Sequence, residues 1–235
     1  MLDAIVEDRY GAATSSNSLF GPITVPPLPH IGTTIEESES PTYCVIVSKN
    51  QVSYCVGIID MVNSTKLAAT MGMKKMSAYY QTFLNLTAKI IGEFGGRVIK
   101  NIGDCLLFYF PSTVKVDLIE IKRCFDCALA LCESHSLICA QLAKDGLPCV
   151  DYRISLDYGP VIPMKSNNSK TIDMIGPAVN MCSKINRCAA PNGIVIGGDL
   201  YEIGRQISWC ILQEVKGYSV GFKQSYPVYR LLRTK

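Results

Sequence analysis

The chain has 235 residues, 48% of them hydrophobic and 18% charged, with a formal net charge of +3. That length holds one sizeable domain with extensions or two small ones, and the composition suits a globular core rather than a disordered chain. The small charge, carried by scattered basic residues, argues against nucleic-acid binding. No run approaches the roughly 20 apolar residues of a membrane span.

Residues 1–42 stand apart from the rest of the chain. Gly21-Pro-Ile-Thr-Val-Pro-Pro-Leu-Pro29, the Ser-rich Thr14 to Ser18 and the acidic Glu36 to Glu39 carry no sustained helix or strand period. Prolines fix φ and remove donors, so an irregular arm is expected, ahead of one domain over 43–235. Met1 to Tyr10 has three acidic residues and no apolar run, so no secretory signal is expected. The eleven cysteines then read as reduced core residues of a cytoplasmic protein.

Tyr43 to Ser48 can form an accessory strand. Ser53 to Ile59 is β-branched and apolar and reads as a buried strand, followed by helix-starting residues in Val62-Asn-Ser-Thr65. Met73 to Phe94 repeats apolar residues at helical spacing and stops at Gly95-Gly96. Arg97 to Ile102 and Leu106 to Phe110 are strands around Gly103-Asp104, spaced like a hairpin. Val116 to Leu142 reads as one long second helix.

Tyr152 to Tyr158 alternates as a strand into Gly159-Pro160, and Lys165 to Thr171 is a polar, hairpin-like turn. Gly176 to Ala190 reads as a helix ending at Pro191-Asn-Gly193. Ile194 to Ile196 is a short strand, Asp199 opens a short helix, and Ile211 to Val215 pairs with Tyr226 to Leu232 as closing strands. The order β-α-β-β-α-β predicts an α+β fold. It has a ferredoxin-like split βαβ core, one sheet against a helical layer, with appended strands and helices.

Two features carry chemistry. Asp60 and Asp104 each adjoin an apolar strand, and two carboxylates on neighbouring strands can hold hard divalent cations against a polyphosphate. Cys124-Phe-Asp-Cys127 is a lone C-x-x-C with no second pair or His cluster at ligand spacing, and reads as an inward-packed helix face.

Five segments occur in a meaningful order: I-I-D-M-V-N-S-T from Ile58, V-I-K-N-I-G-D from Val98, R-I-S-L-D-Y-G-P-V from Arg153, D-M-I-G-P-A-V-N-M-C-S-K from Asp173 and E-V-K-G from Glu214. With them, residues from about 50 to 232 resemble the catalytic domain of class III nucleotidyl cyclases, adenylyl cyclases in particular. The resemblance implies an enzyme in which the ribose 3′-hydroxyl of a nucleoside triphosphate attacks its own α-phosphorus and releases pyrophosphate.

By that resemblance Asp60 and Asp104, with the Met61 carbonyl, hold two Mg²⁺ or Mn²⁺ ions per site. The amides of Val62, Asn63, Ser64 and Thr65, entering a helix, cradle the phosphates. Lys100 and Asp173 match the adenine-reading lysine and aspartate, which makes ATP the expected substrate and cyclic AMP the product; guanylyl enzymes carry Glu and Cys there. Asn180 and Lys184, four apart on one helix face, match the residues that orient the ribose and stabilise charge on the α-phosphate.

The usual residue at the second of these positions is arginine. Lysine supplies the charge without the planar fork of donors. Lys216 matches the lysine that reaches the terminal phosphates, although the chain continues K-G-Y-S rather than K-G-K-G. In this family the metal aspartates and the base readers come from opposite subunits, so a homodimer with two shared sites is implied. A weak or inactive signalling relative, and a cyclase with relaxed base choice toward GTP, stay open. No nucleic-acid or membrane partner is expected, and nothing in the sequence names a regulator.

Overall fold

The computed structural model describes residues 43–215 and 225–234. The arm expected over 1–42, and Lys216, lie outside the described residues. The described elements are β1 (Val45–Val47), β2 (Val52–Met61), α1 (Ser64–Thr70), α2 (Met73–Glu93), β3 (Arg97–Ile102), β4 (Cys105–Phe110), α3 (Leu118–Glu133) and α4 (His135–Lys144). After them come β5 (Tyr152–Ser166), β6 (Asp173–Ile175), α5 (Pro177–Ile185), β7 (Ile194–Gly197), α6 (Gly198–Gly204), β8 (Cys210–Glu214) and β9 (Val228–Arg233).

Strands line up as β3-β4-β2-β5-β7-β9-β8, with β1 and β6 paired to β5 off this path. The first four pair antiparallel with one another, and β7 joins β5 in parallel. This is the split βαβ core expected from the element order, extended at one edge. β2 and β5 share the longest ladder, from Val52 opposite Val161 to Met61 opposite Tyr152.

Alternation along β2 divides the core between two faces. Tyr54, Val56 and Ile58 pack with Ile99, Leu107, Val161, Met174 and with Ala178 and Cys182 of α5. On the other face Phe108 crosses β2 at Gly57, where an added Cβ would lie 2.2 Å from its ring, so only glycine fits. Phe108 and Phe110 meet there edge to face, and at Gly96 an added Cβ would lie 2.6 Å from Ile91 of α2 and 3.2 Å from Phe110.

α2 buries Tyr79, Phe83, Thr87, Ile90 and Ile91, a single face at spacings of three and four. It ends in a Schellman turn. Gly95, at φ 77, donates to the Gly92 carbonyl, and Gly96 donates to that of Ile91. The side chain of Asp117 caps α3 by accepting from the Ile119 amide at 2.9 Å.

Three boundaries differ from expectation. The long second helix divides at Ser134, whose ψ of 0° turns the axis and lets α4 lay Ile138 and Leu142 inward. β5 continues through Gly159-Pro160, because beyond Val161 it trades its partner β2 for β1 and β6. α5 tightens after Ile185 into a 3-10 turn over Asn186–Cys188, where Asn186 buries its amide against the Ile58 and Arg153 carbonyls and Ser155 Oγ.

The cysteines also need a correction. Cys124 and Cys127 are buried thiols on α3 as expected, but Cys139 and Cys149 form a disulfide. Sequence spacing hid that pair because its two halves sit on α4 and on the loop after it.

Candidate active site

Asp60 and Asp104 meet at the end of the β2–β4 pair. Asp60 is the penultimate residue of β2, opposite Cys105 on β4 and Arg153 on β5. Asp104 sits in the β3–β4 turn beside Gly103, whose φ of 62 the tight reversal requires. Burial holds the Asp60 carboxyl above the usual range, the negative charge of Asp104 adds to this, and the Arg153 guanidinium opposes it. The Cys105 thiol is pushed up to about 12, by burial and then by the same two carboxylates.

Two carboxylates thus crowd one half-buried spot, with the Arg153 guanidinium beside them. That excess of negative charge fits a hard divalent cation, which accepts oxygen ligands and lowers the cost of ionising both groups. Met61 follows in the strand with its side chain buried.

The loop after β2 is held differently from its neighbours. The Val62 amide donates to the Asp151 carbonyl at 2.8 Å, so this donor is already committed. Asn63 adopts a left-handed conformation, φ 59 and ψ 24, and its carbonyl accepts from Lys66 and Leu67 at 3.1 Å. Of the four residues expected to offer amides, Val62 thus has a backbone partner, and Asn63, Ser64 and Thr65 lie at the entrance of α1.

Lys100 and Asp173 form an ion pair between β3 and β6. A bulge between Val98 and Lys100 resets the β3 register, and Asp173 Oδ1 also accepts from the Met174 amide at 2.8 Å. The pair lines a cleft of about 230 Å³ with Ile99, Met164, Ser169 and Thr171. Asn180 is exposed and Lys184 half-buried on α5, whose inner face buries Ala178, Cys182 and Ile185. α5 starts abruptly because Gly176, at φ 149, passes 2.6 Å from the Pro160 carbonyl, measured from where a Cβ would sit.

The structure thus unites Asp60 with Asp104, and Lys100 with Asp173. Among the described residues no hydrogen bond or ion pair links one couple to the other.

Residues 46–231 match the family model described as the adenylate and guanylate cyclase catalytic domain. The chain belongs to this cyclase family. Photoactivated adenylate cyclase subunit beta of Euglena gracilis is 29% identical over 109 residues, covering 44% of this chain and 12% of that protein. An adenylate cyclase of Glutamicibacter nicotianae is 29% identical over 140 residues, 60% of this chain and 29% of that one. The chain therefore matches 12% and 29% of the length of these curated relatives.

Among solved structures, an adenylyl cyclase from P. aeruginosa superposes with a TM-score of 0.71 at 17% identity, covering 79% of this chain and 96% of that chain. The guanylate cyclase domain from Catenaria anguillulae, in complex with GTP, gives 0.68 at 19%, covering 79% and 100%. These likenesses fix the fold. Adenylyl and guanylyl enzymes both occur among them.

Two further residues near these elements were not singled out in the sequence. Arg153 opposes the rise of the Asp60 carboxyl, and its Nε is buried with no hydrogen-bond partner among the described residues. Asp157 is buried under Tyr226, whose hydroxyl reaches both carboxylate oxygens at 3.1 and 3.0 Å, and burial pushes its carboxyl up to about 7. Both lie in the quoted R-I-S-L-D segment, but only the β2–β5 register and the return of the chain at Tyr226 show what they face. Among the described residues no helix is long and apolar enough to cross a membrane.

Proposed function

We propose that this cyclase is an adenylyl cyclase, converting ATP to 3′,5′-cyclic AMP and pyrophosphate at shared sites of a homodimer. The Lys100–Asp173 ion pair carries the reading. It sets a donor and an acceptor side by side at a cleft, as a purine edge requires. Lys100 Nζ donates to an adenine ring nitrogen, and the Asp173 carboxylate accepts from the exocyclic amine. A base that leaves either group without a partner is rejected strongly.

Asn63, Ser64 and Thr65 offer backbone amides to the phosphates, Asn180 orients the ribose, and Lys184 places positive charge at the α-phosphate. Lys216 is assigned to the terminal phosphates. Asp60 and Asp104, with the Met61 carbonyl, would hold two Mg²⁺ or Mn²⁺ ions, which supply Lewis-acid activation of the 3′-hydroxyl and neutralise phosphate charge. A new bond joins the ribose 3′-oxygen to the α-phosphorus. The bond from that phosphorus to the β-phosphate oxygen breaks, and the hydroxyl proton passes to water.

The two-subunit site rests on the family resemblance, in which the aspartate pair and the base-reading pair come from opposite subunits. A second copy would bring its Lys100, Asp173, Asn180 and Lys184 to face Asp60 and Asp104 of the first. Lys184 favours a second reading, a weakly active relative that signals through nucleotide binding and dimerisation, because it lacks the arginine fork.

Purified protein incubated with Mn²⁺ and either ATP or GTP distinguishes these. Cyclic AMP formation that outpaces cyclic GTP supports the proposal. Tight nucleotide binding with no cyclic product at high protein concentration overturns the enzyme reading, and faster turnover of GTP overturns the base assignment.

A further inference from the structure

One cluster outside the cyclase site gathers metal-binding atoms. His135, Cys139 and Cys149 place their ligand atoms within 4.8 Å of one another, the one such group of three among the described residues. His135 Nε2 lies 3.6 Å from Cys139 Sγ, 3.6 Å from Cys149 Sγ and 3.3 Å from Asp151 Oδ1. A single ring nitrogen cannot donate one proton to three partners. Two sulfurs and a nitrogen within 4.8 Å of one another, with a carboxylate oxygen beside the nitrogen, supply the donor types of a tetrahedral zinc site.

We propose that Cys139, Cys149, His135 Nε2 and the Asp151 carboxylate bind one Zn²⁺ when the Cys139–Cys149 disulfide is reduced. Typical zinc bond lengths give tetrahedral edges of about 3.5 Å between sulfur and nitrogen and about 3.3 Å between nitrogen and oxygen. Three edges of the cluster already match these. The sulfur–sulfur edge must open to about 3.8 Å, which requires the disulfide to be cleaved and the two side chains to rotate apart. The exposed Asp151 carboxylate, which lies outside the group of three, must also swing toward the sulfurs.

The surroundings hold the ligands in place. His135 and Cys139 are one turn apart on α4, so both side chains leave the same helix face. The His135 ring packs on Tyr152 at 5.8 Å between centroids, and Tyr79 donates its hydroxyl to the Cys149 carbonyl at 3.3 Å. Asn192 Nδ2 donates to Asp151 Oδ1 at 2.6 Å, while its own Oδ1 accepts from the Tyr152 amide. Support of a ligating carboxylate by a second hydrogen bond is the usual design of such sites. The Cys149 side is exposed, which gives an ion a path from solvent.

The site also has a mechanical link to the cyclase. The Asp151 carbonyl is the acceptor that holds the Val62 amide at the start of the phosphate loop. A metal on the Asp151 side chain therefore ties α4 to that loop through one residue.

The chemistry balances with a trialkylphosphine as reductant. The two sulfurs are reduced to thiols, phosphorus is oxidised to the phosphine oxide with the oxygen of one water, and zinc binding then releases both thiol protons to solvent. The test titrates Zn²⁺ into the phosphine-reduced and untreated 235-residue chain against a chromophoric chelator, and repeats the titration with Co²⁺ to read the thiolate-to-metal charge-transfer band.

We expect one Zn²⁺ per chain and a thiolate band in the reduced protein, and neither in the disulfide form. Cys139→Ser/Cys149→Ser should lose both, and Asp151→Asn should weaken zinc at least tenfold while keeping the band. The disulfide form is itself a folded control, so loss of zinc there does not depend on a variant folding. No zinc in the reduced protein beyond that of the double variant overturns the proposal. Equal binding by the disulfide form does the same.

Discussion

Lys100 and Asp173 lie 73 residues apart in sequence and form an ion pair across β3 and β6. Each is partly exposed, 41% and 27% by side chain, so the pair gains little stability from its charges alone. Its value lies in position, since it fixes a donor and an acceptor at the cleft. Asp173→Ala is expected to lower kcat/KM for ATP by roughly 10- to 100-fold, the cost of leaving a polar partner without its hydrogen bond. Lys100→Glu with Asp173→Cys should move the preference toward GTP. Unchanged ATP kinetics in Asp173→Ala would remove the pair from base reading.

The aspartate couple predicts a pH dependence of metal binding. The Asp60 carboxyl is held above its ordinary value by burial and by Asp104, so protons compete with Mn²⁺ for it. Mn²⁺ affinity should fall as pH drops through that raised value. Asp104→Asn should remove the repulsion, move the Asp60 titration to lower pH in carboxyl-resolved NMR, and abolish cyclase activity. An Asp60 titration that stays put in this variant argues against the coupling.

Mixing tests the shared site. Asp60→Ala chains and Asn180→Ala chains, each inactive alone, should regain activity together, because a heterodimer assembles one intact site from two partial ones. The restored rate should approach one quarter of wild type on the order-of-magnitude expectation for random pairing with one site per heterodimer. No recovery, with dimers present by sedimentation, counts against subunit sharing.

Lys184→Arg should raise kcat several-fold with little change in KM, if a planar fork of donors serves the α-phosphate better than a point charge. A changed KM with constant kcat would place Lys184 in ground-state binding instead.

Asp157 should make stability depend on pH. Its carboxyl is raised by burial to about 7 from an ordinary 3.8, so the fold favours the protonated form. That contribution is full below about pH 4 and is lost as pH rises through about 7, by roughly 4 kcal/mol at most. Denaturant melts of wild type should weaken between pH 5 and pH 8, whereas Asp157→Asn should hold nearly constant. Parallel slopes in the two proteins would assign the pH dependence to other groups.

Much of the fold was legible because its signals are local. The helical spacing of α2, its Gly95-Gly96 stop and the hairpin around Gly103-Asp104 are patterns of neighbours three, four or two residues apart, and the strands and helices fall in the expected split βαβ order. The five motif segments also sufficed to identify the family, since each is a run of adjacent residues. What the sequence alone could not decide depends on partners far along the chain. The break at Ser134, the extension of β5 past Pro160 and the committed Val62 amide result from packing and register. Arg153 beside Asp60, Tyr226 over Asp157, and Cys149 beside His135 are likewise meetings that the tertiary structure makes. Periodicity says which face a side chain takes; only the closed sheet and its returning loops say what waits there.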